Sequence, residues 1–167
     1  RGGRVEAGPT EPFRVEQRLQ VAVLTDFCNE CGNCATFCPA AGRPYRDKPR
    51  LYLDRAEFEA EEDNAFLLVP GSSGAAIEAR WAGETCRVEV DGAITYRAPQ
   101  LTVRLDPETW QVLEGQAGPG AREGEEVPLA PCAAACALLR GLLGSAPFLP
   151  AAVGPAGSRV GHPGYEE

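Results

Sequence analysis

The sequence has no methionine, one lysine (Lys48), one histidine (His162) and an aromatic content of only 7%. With so few aromatics, any core must be built mainly from Ala, Val and Leu. No apolar run reaches the roughly eighteen residues that a membrane-spanning helix needs, so no span is expected. The opening "RGGRVEAGPTEPF" lacks the apolar stretch of a secretory signal and also lacks an initiating Met. The expectation is a piece of a longer protein, from its C-terminal end. A lone histidine in "RVGHPGYEE" has no orienting partner nearby, so a surface position is expected for His162 rather than a role as catalytic base. No G-x-G-x-x-G fingerprint occurs, and "PGSSG" is too short to cradle phosphate, so this stretch of chain carries no dinucleotide motif.

Charge excludes a further class. The formal net charge is -8, whereas a nucleic-acid footprint needs a basic face. What is abundant is glycine and proline: 19 and 15 of 167 residues, about a fifth of the chain, which predicts much loop and modest regular structure. Cysteine is also plentiful and lopsided. Of seven, four stand in "CNECGNCATFCP", and the others are Cys86, Cys132 and Cys136. A secreted disulfide scaffold spreads an even set along the chain, so this distribution points to metal or cluster chemistry in a reducing compartment, the cytoplasm.

Cys28, Cys31, Cys34 and Cys38 follow the spacing C-x2-C-x2-C-x3-C-P of bacterial iron–sulfur loops. A [4Fe–4S] cube offers neighbouring irons on one face. Thiolates two residues apart reach them from a tightly wrapped backbone, which also turns N–H groups toward the sulfides. Gly32 stands where such a loop needs positive φ or close approach. Structural zinc takes four cysteines as two separated pairs, and bridges between cysteines three apart strain disulfide geometry. Zinc nevertheless stands as the alternative, as a structural metal site in a protein-interaction module. In two-cluster ferredoxins the cysteine before proline serves the other cluster. On that rule Cys28, Cys31 and Cys34 hold one cluster, and Cys38 belongs to a second whose partners lie upstream. Cys86 in "ETCRVEV" is expected to be a buried strand residue. Cys132 and Cys136, one helical turn apart, are expected to pack a helix.

Arg43, Arg46, Lys48 and Arg50 form the densest basic stretch, either a solvated loop with local ion pairs or a dock for an acidic electron partner. The acidic run from Glu57 to Asp63 reads as a solvated helix face rather than a metal site, and Asp54 as the N-cap of a helix over 55–61. Leu19 to Leu24 reads as a strand. Period-2 runs from residue 75 to 114, with Asp91-Gly92 as a type I′ turn, predict a small antiparallel sheet. Pro131 opens a helix with Leu138, Leu139, Leu142 and Leu143 on its apolar stripe.

The expected fold is therefore α+β and loop-rich: a ferredoxin-type iron–sulfur loop, then a small antiparallel sheet and a C-terminal helix. The expected divisions are a flexible lead-in at 1–12, a 4Fe-4S ferredoxin-type domain at 13–69 and a β region at 70–115. A linker at 116–127, a helix at 128–146 and a loosely ordered tail at 147–167 complete them.

"DFCNECGNCATFCP" followed by "GRPYRDKPRLYLDRAEF" resembles the C-terminal part of the selenate reductase iron–sulfur subunit family, large bacterial oxidoreductases similar to the glutamate synthase small subunit. The close resemblance covers residues 19–69, and "RLDPETWQVLEG" continues it less specifically. It implies an upstream region binding FAD and NAD(P)H, a further cysteine motif there, and electron passage between flavin and clusters, with a redox partner subunit. Only Cys28, Cys31, Cys34 and Cys38 carry over as functional residues. The chain departs from the family in lacking the flavin region and the partner cysteine motif.

Overall fold

The computed structural model describes residues 3, 5–15, 21–38, 42–72, 74–146 and 149. Eight strands form one mixed sheet in sequential order: β1 (Val23–Leu24), β2 (Arg50–Tyr52), β3 (Ala65–Pro70), β4 (Ala75–Trp81), β5 (Glu84–Asp91), β6 (Ala93–Arg97), β7 (Leu101–Leu105) and β8 (Val112–Ala117). The first three run parallel, with Leu24 opposite Leu51 and Leu51 opposite Phe66. From β3 onward every pairing is antiparallel, starting with Leu68 opposite Ile77. Three short helices lie between the parallel strands: α1 (Asn33–Phe37), α2 (Pro44–Asp47) and α3 (Arg55–Ala60). A long helix, α4 (Ala130–Ser145), follows the sheet.

This architecture corrects the expected fold class. The sheet is not a small antiparallel element following a loop-rich ferredoxin-type segment. It begins at Val23, before the cysteines, and ends at Ala117, and the cysteine loop is one of its parallel crossover connections. Of the strand read over Leu19 to Leu24, Val23–Leu24 forms β1 and residues 19 and 20 lie outside the described residues. Its parallel partner β2 is three residues long, too short to show a period-2 pattern. Their pairing is supplied by neighbours distant in sequence.

Strand β3 reads "AFLLVP", apolar without alternation, because both of its faces are covered. Phe66 and Leu68 join Ile77, Val88, Ile94, Tyr96, Val103 and Leu105 in the main core under α4. Ala65, Leu67 and Val69 face the other way, onto Tyr52, Ala76 and the fully buried Phe58 of α3. Asp54 caps α3 as expected, its Oδ1 accepting from the backbone N–H of Ala56 at 2.8 Å and of Glu57 at 3.1 Å. Beyond α3 this second face is polar, and Arg55, Glu78, Arg87, Glu89 and Arg97 form a continuous line of ion pairs across it.

The hairpins differ from the expected turn chemistry. Asp91 opposes Ala93 directly, and only Gly92 between them takes positive φ, at 62°. The two-residue turn with positive φ at both positions is instead Ala82-Gly83, at 51° and 78°. Helix α4 contacts β4 and β5 and buries Cys132, Ala133, Ala135, Cys136 and Leu139. Of the leucines read from sequence, Leu139 is in the core and Leu138 and Leu142 pack against it half-buried. Leu143 lies on its exposed side. Among the described residues no helix is long and apolar enough to cross a membrane. The linker expected after residue 115 is in part strand, since β8 runs to Ala117. His162 lies outside the described residues, as does the tail from Pro147 except Leu149.

Leu139→Ala empties a core position and is expected to cost about 2–5 kcal/mol in urea unfolding, whereas Leu143→Ala is expected to stay within roughly 0.5 kcal/mol of the parent. Equal effects would contradict the stripe assigned to α4.

Candidate functional site

The cysteine loop leaves β1 through a short 3-10 turn, Thr25–Phe27, and is anchored to β2 by two side chains. Thr25 Oγ1 donates to the Leu51 carbonyl at 3.1 Å, and Asp26 Oδ2 accepts from the Leu53 N–H at 3.2 Å. The Cys28 N–H closes the turn on the Thr25 carbonyl at 2.9 Å. Asn29 Oδ1 then accepts from the Cys31 N–H at 3.3 Å, a local side-chain turn. Two residues take left-handed conformations, Glu30 at φ 54° and Gly32 at φ 79°, so the backbone reverses twice within three residues. At Gly32 the glycine answers to conformation and not to crowding: a Cβ there would meet nothing within 4 Å.

Cys34 rides on the single turn of α1, and Cys38 follows it in extended conformation. Cys31 and Cys34 are exposed, Cys28 and Cys38 half-buried, and all four are free thiols. Among the described residues no three His, Cys, Asp or Glu side chains are grouped so as to hold a metal ion. The loop thiols are therefore gathered neither as three plus one nor as four.

Cys28 also lines a cleft of about 230 Å³ with Glu30, Tyr45, Arg50, Tyr52 and Glu61. Its floor is a polar network that the sequence reading divided between a basic stretch and a solvated acidic face. Arg50 Nη2 lies 2.8 Å from Glu61 Oε1 and Nη1 lies 3.3 Å from Oε2, a forked pair. Tyr52 donates its hydroxyl to Glu61 Oε1 at 2.8 Å, and the Arg50 guanidinium sits 5.4 Å from the Tyr52 ring centroid. Arg50 Nε is buried without a hydrogen-bond partner. Burial raises the Glu61 carboxyl, but hydrogen bonds from Tyr52 and Arg50 and the Arg50 charge outweigh it and hold it below its ordinary value. Burial pushes the Tyr52 hydroxyl up, and its bond to Glu61 adds to the shift. The one sequence signal for this network was the alternation Arg50-Leu51-Tyr52, which puts Arg50 and Tyr52 on one face of a strand. Its partner, Glu61, caps the C-terminus of α3 eleven residues away and has no spacing signature.

The remaining cysteines behave as packing residues, as expected. Cys86, Cys132 and Cys136 are buried in the main core. Burial raises the Cys86 thiol to about 11, against a partial offset from Tyr96, and raises the Cys132 thiol to about 12, helped by its cysteine neighbours. Burial also raises Cys136, opposed by the charge of Arg140. Thiols so shifted stay neutral and unreactive near neutral pH.

Metal-free protein is therefore expected to release colour from Ellman's reagent for the four loop thiols under native conditions and for all seven after denaturation. Reaction of Cys132 or Cys136 at the rate of Cys31 would contradict their burial. The Glu61 network gives a pH expectation. A carboxyl depressed in the fold stabilises above its ordinary value of 4.5, and that contribution is lost as pH falls through the lower folded value. Glu61→Gln should cost about 1–2 kcal/mol at neutral pH and flatten the acid slope of stability. An unchanged acid slope in denaturation between neutral and acid pH would refute it.

Comparison with known proteins gives a partial match. No family model matches the sequence, and no solved structure matches it. Two curated proteins do: the "Putative oxidoreductase YgfK" of Escherichia coli strain K12 and that of Escherichia coli O157:H7, each 42% identical over 53 residues. The match takes in 32% of this chain and 5% of each relative, so the chain spans about a twentieth of the length of the curated proteins it is similar to.

Proposed function

We propose that this chain is an electron-transfer segment of a larger oxidoreductase, holding a [4Fe–4S] cluster on Cys28, Cys31, Cys34 and Cys38. The observation that carries the reading is the spacing C-x2-C-x2-C-x3-C-P, and the partial similarity to an oxidoreductase supports the reaction class. The donor set fits the group in kind. Four thiols lie within eleven residues, two of them at the surface, on a backbone already curled by Glu30 and Gly32. They are not gathered, so holding the group requires their side chains to swing together, or a cysteine of the whole protein to complete the set. Should the whole protein carry a second cysteine run, the two-cluster rule divides these ligands, with Cys28, Cys31 and Cys34 on one cluster and Cys38 on the other. FAD and NAD(P)H belong, in this reading, to a part of the whole protein outside this chain.

The cluster, when bound, supplies one-electron storage at low cost in reorganisation. The residues of the chain do the rest. Thr25 and Asp26 fix the base of the loop on β2, so the first thiol is presented at the mouth of the cleft. The Arg50–Glu61 pair closes its charge internally, leaving Glu30 as the carboxylate nearest the thiols in sequence. Glu30 opposes the arrival of an electron nearby.

The test is anaerobic preparation followed by metal and sulfide analysis. Iron with acid-labile sulfide and a reversible one-electron reduction is the expected result, and zinc alone would replace this reading with a structural metal site. Glu30→Gln should raise the reduction potential in film voltammetry, and an unchanged or lower potential would count against the role given to Glu30.

A further inference from the structure

The two most exposed large apolar side chains among the described residues stand at the two ends of the cysteine loop: Phe27 is 75% exposed and Phe37 85%. Neither is used by the fold. Phe27 ends the 3-10 turn and Phe37 ends α1, and the backbone of each is held while its ring faces water. Scattered apolar residues on a surface are ordinary, but large aromatics this exposed beside a functional loop are the anchors that interfaces use.

Charge adds the second half of the observation. Helix α1 packs against α2, whose N-cap is Arg43 and whose last turn carries Arg46, with Lys48 directly after it. From Cys31 to Arg50 the chain has four cations and one carboxylate, Asp47, within a protein of net charge -8. Arg50 is turned inward and neutralised by Glu61. Arg43 reaches Asp47 only at 4.0 Å, and Arg46 and Lys48 make no ion pair among the described residues. Asn64 holds this segment outward, its Nδ2 donating to the carbonyls of Arg46 at 3.1 Å and Lys48 at 2.9 Å. On this braced segment Arg43 and Arg46 are exposed and Lys48 is half-buried.

We propose that this surface docks an acidic protein, with Phe37 and Phe27 entering its apolar centre and Arg43, Arg46 and Lys48 meeting its carboxylates. On a chain otherwise acidic, an acidic partner is repelled elsewhere and drawn here, which orients it over the exposed thiols of Cys31 and Cys34. That the partner is an electron-transfer protein rests on the function proposed above; the docking chemistry does not.

The experiment is biolayer interferometry on the full chain, with an acidic flavodoxin as probe and basic cytochrome c as counter-probe, each run on iron-loaded and iron-free protein. Flavodoxin is expected to bind, and raising salt from about 50 to about 300 mM should weaken that binding roughly tenfold. Cytochrome c meets only the acidic remainder of the chain, and its signal should not fall on charge reversal of the basic patch. The charge reversal R43E/R46E/K48E should abolish binding, and Phe37→Ser should weaken it roughly tenfold. These side chains lie outside the core, and an unchanged circular dichroism spectrum shows that the variants fold. No flavodoxin binding, indifference of flavodoxin binding to the charge reversal, or loss of cytochrome c binding on that reversal overturns the proposal. Self-association in sedimentation that Phe37→Ser removes also overturns it, because a second copy then covers the face. Flavodoxin binding by a chain that takes up no iron sinks the cluster reading and keeps the surface. An iron-loaded, reducible chain that ignores flavodoxin does the reverse.

Discussion

Burial of β3 on both faces is the constraint on which the other elements depend. Phe66 and Leu68 are buried in the main core, while Leu67 and Val69 pack in the second cluster with Phe58 of α3, so the strand has no solvent face and cannot slip by one residue without exposing one set or the other. Its hydrogen bonds then fix two neighbours of opposite sense. Strand β4 lies antiparallel on one side and starts the meander. Strand β2 lies parallel on the other, with Leu51 opposite Phe66. A three-residue strand such as β2 has little stability of its own, and its position is inherited from β3.

The cysteine loop inherits its position in turn. Thr25 and Asp26 tie its start to Leu51 and Leu53, on and beside β2, and Asn64, immediately before β3, ties the segment after it through the carbonyls of Arg46 and Lys48. Both ends of a long connection are thus fixed to rigid strands, while its middle, from Asn29 to Phe37, is held by local bonds and leaves its side chains in solvent. The arrangement joins a base tied to the strands to two exposed and two half-buried thiols. Such a division suits a loop that has to close around a ligand, since the entropy of ordering falls on a few side chains rather than on the whole connection.

Electrostatics divides the same way. Where Arg and Glu meet in the sheet or beneath the cleft, as at Arg50–Glu61 and Arg87–Glu78, they are paired and partly buried. On α2 and just after it, Arg46 and Lys48 have no such partner among the described residues. A forked, partly desolvated pair holds a strand register and a cleft floor, whereas unpaired surface cations steer encounters at a distance.

Features that depend on neighbours in sequence were readable from it: the cap at Asp54, the helix opened by Pro131, the burial of Cys86, Cys132 and Cys136, and the cysteine spacing itself. Each is a local preference acting within a turn or two of chain. The antiparallel run from β4 to β8 was readable in its period-2 spacing, but its continuation through β1–β3 into an eight-stranded mixed sheet was not, nor was the Arg50–Tyr52–Glu61 floor of the cleft. Strands of two and three residues carry no period, parallel partners are separated by long crossovers without a turn signal, and a carboxylate that caps one element while pairing with another looks like any acid in an acidic run. The sequence by itself determined the donor set on which the proposed function rests, four thiols at fixed spacing. Only the tertiary structure decided that the loop carrying them is a sheet crossover with exposed aromatic ends, because strand pairing over that distance is set by burial of β3 and not by any local preference.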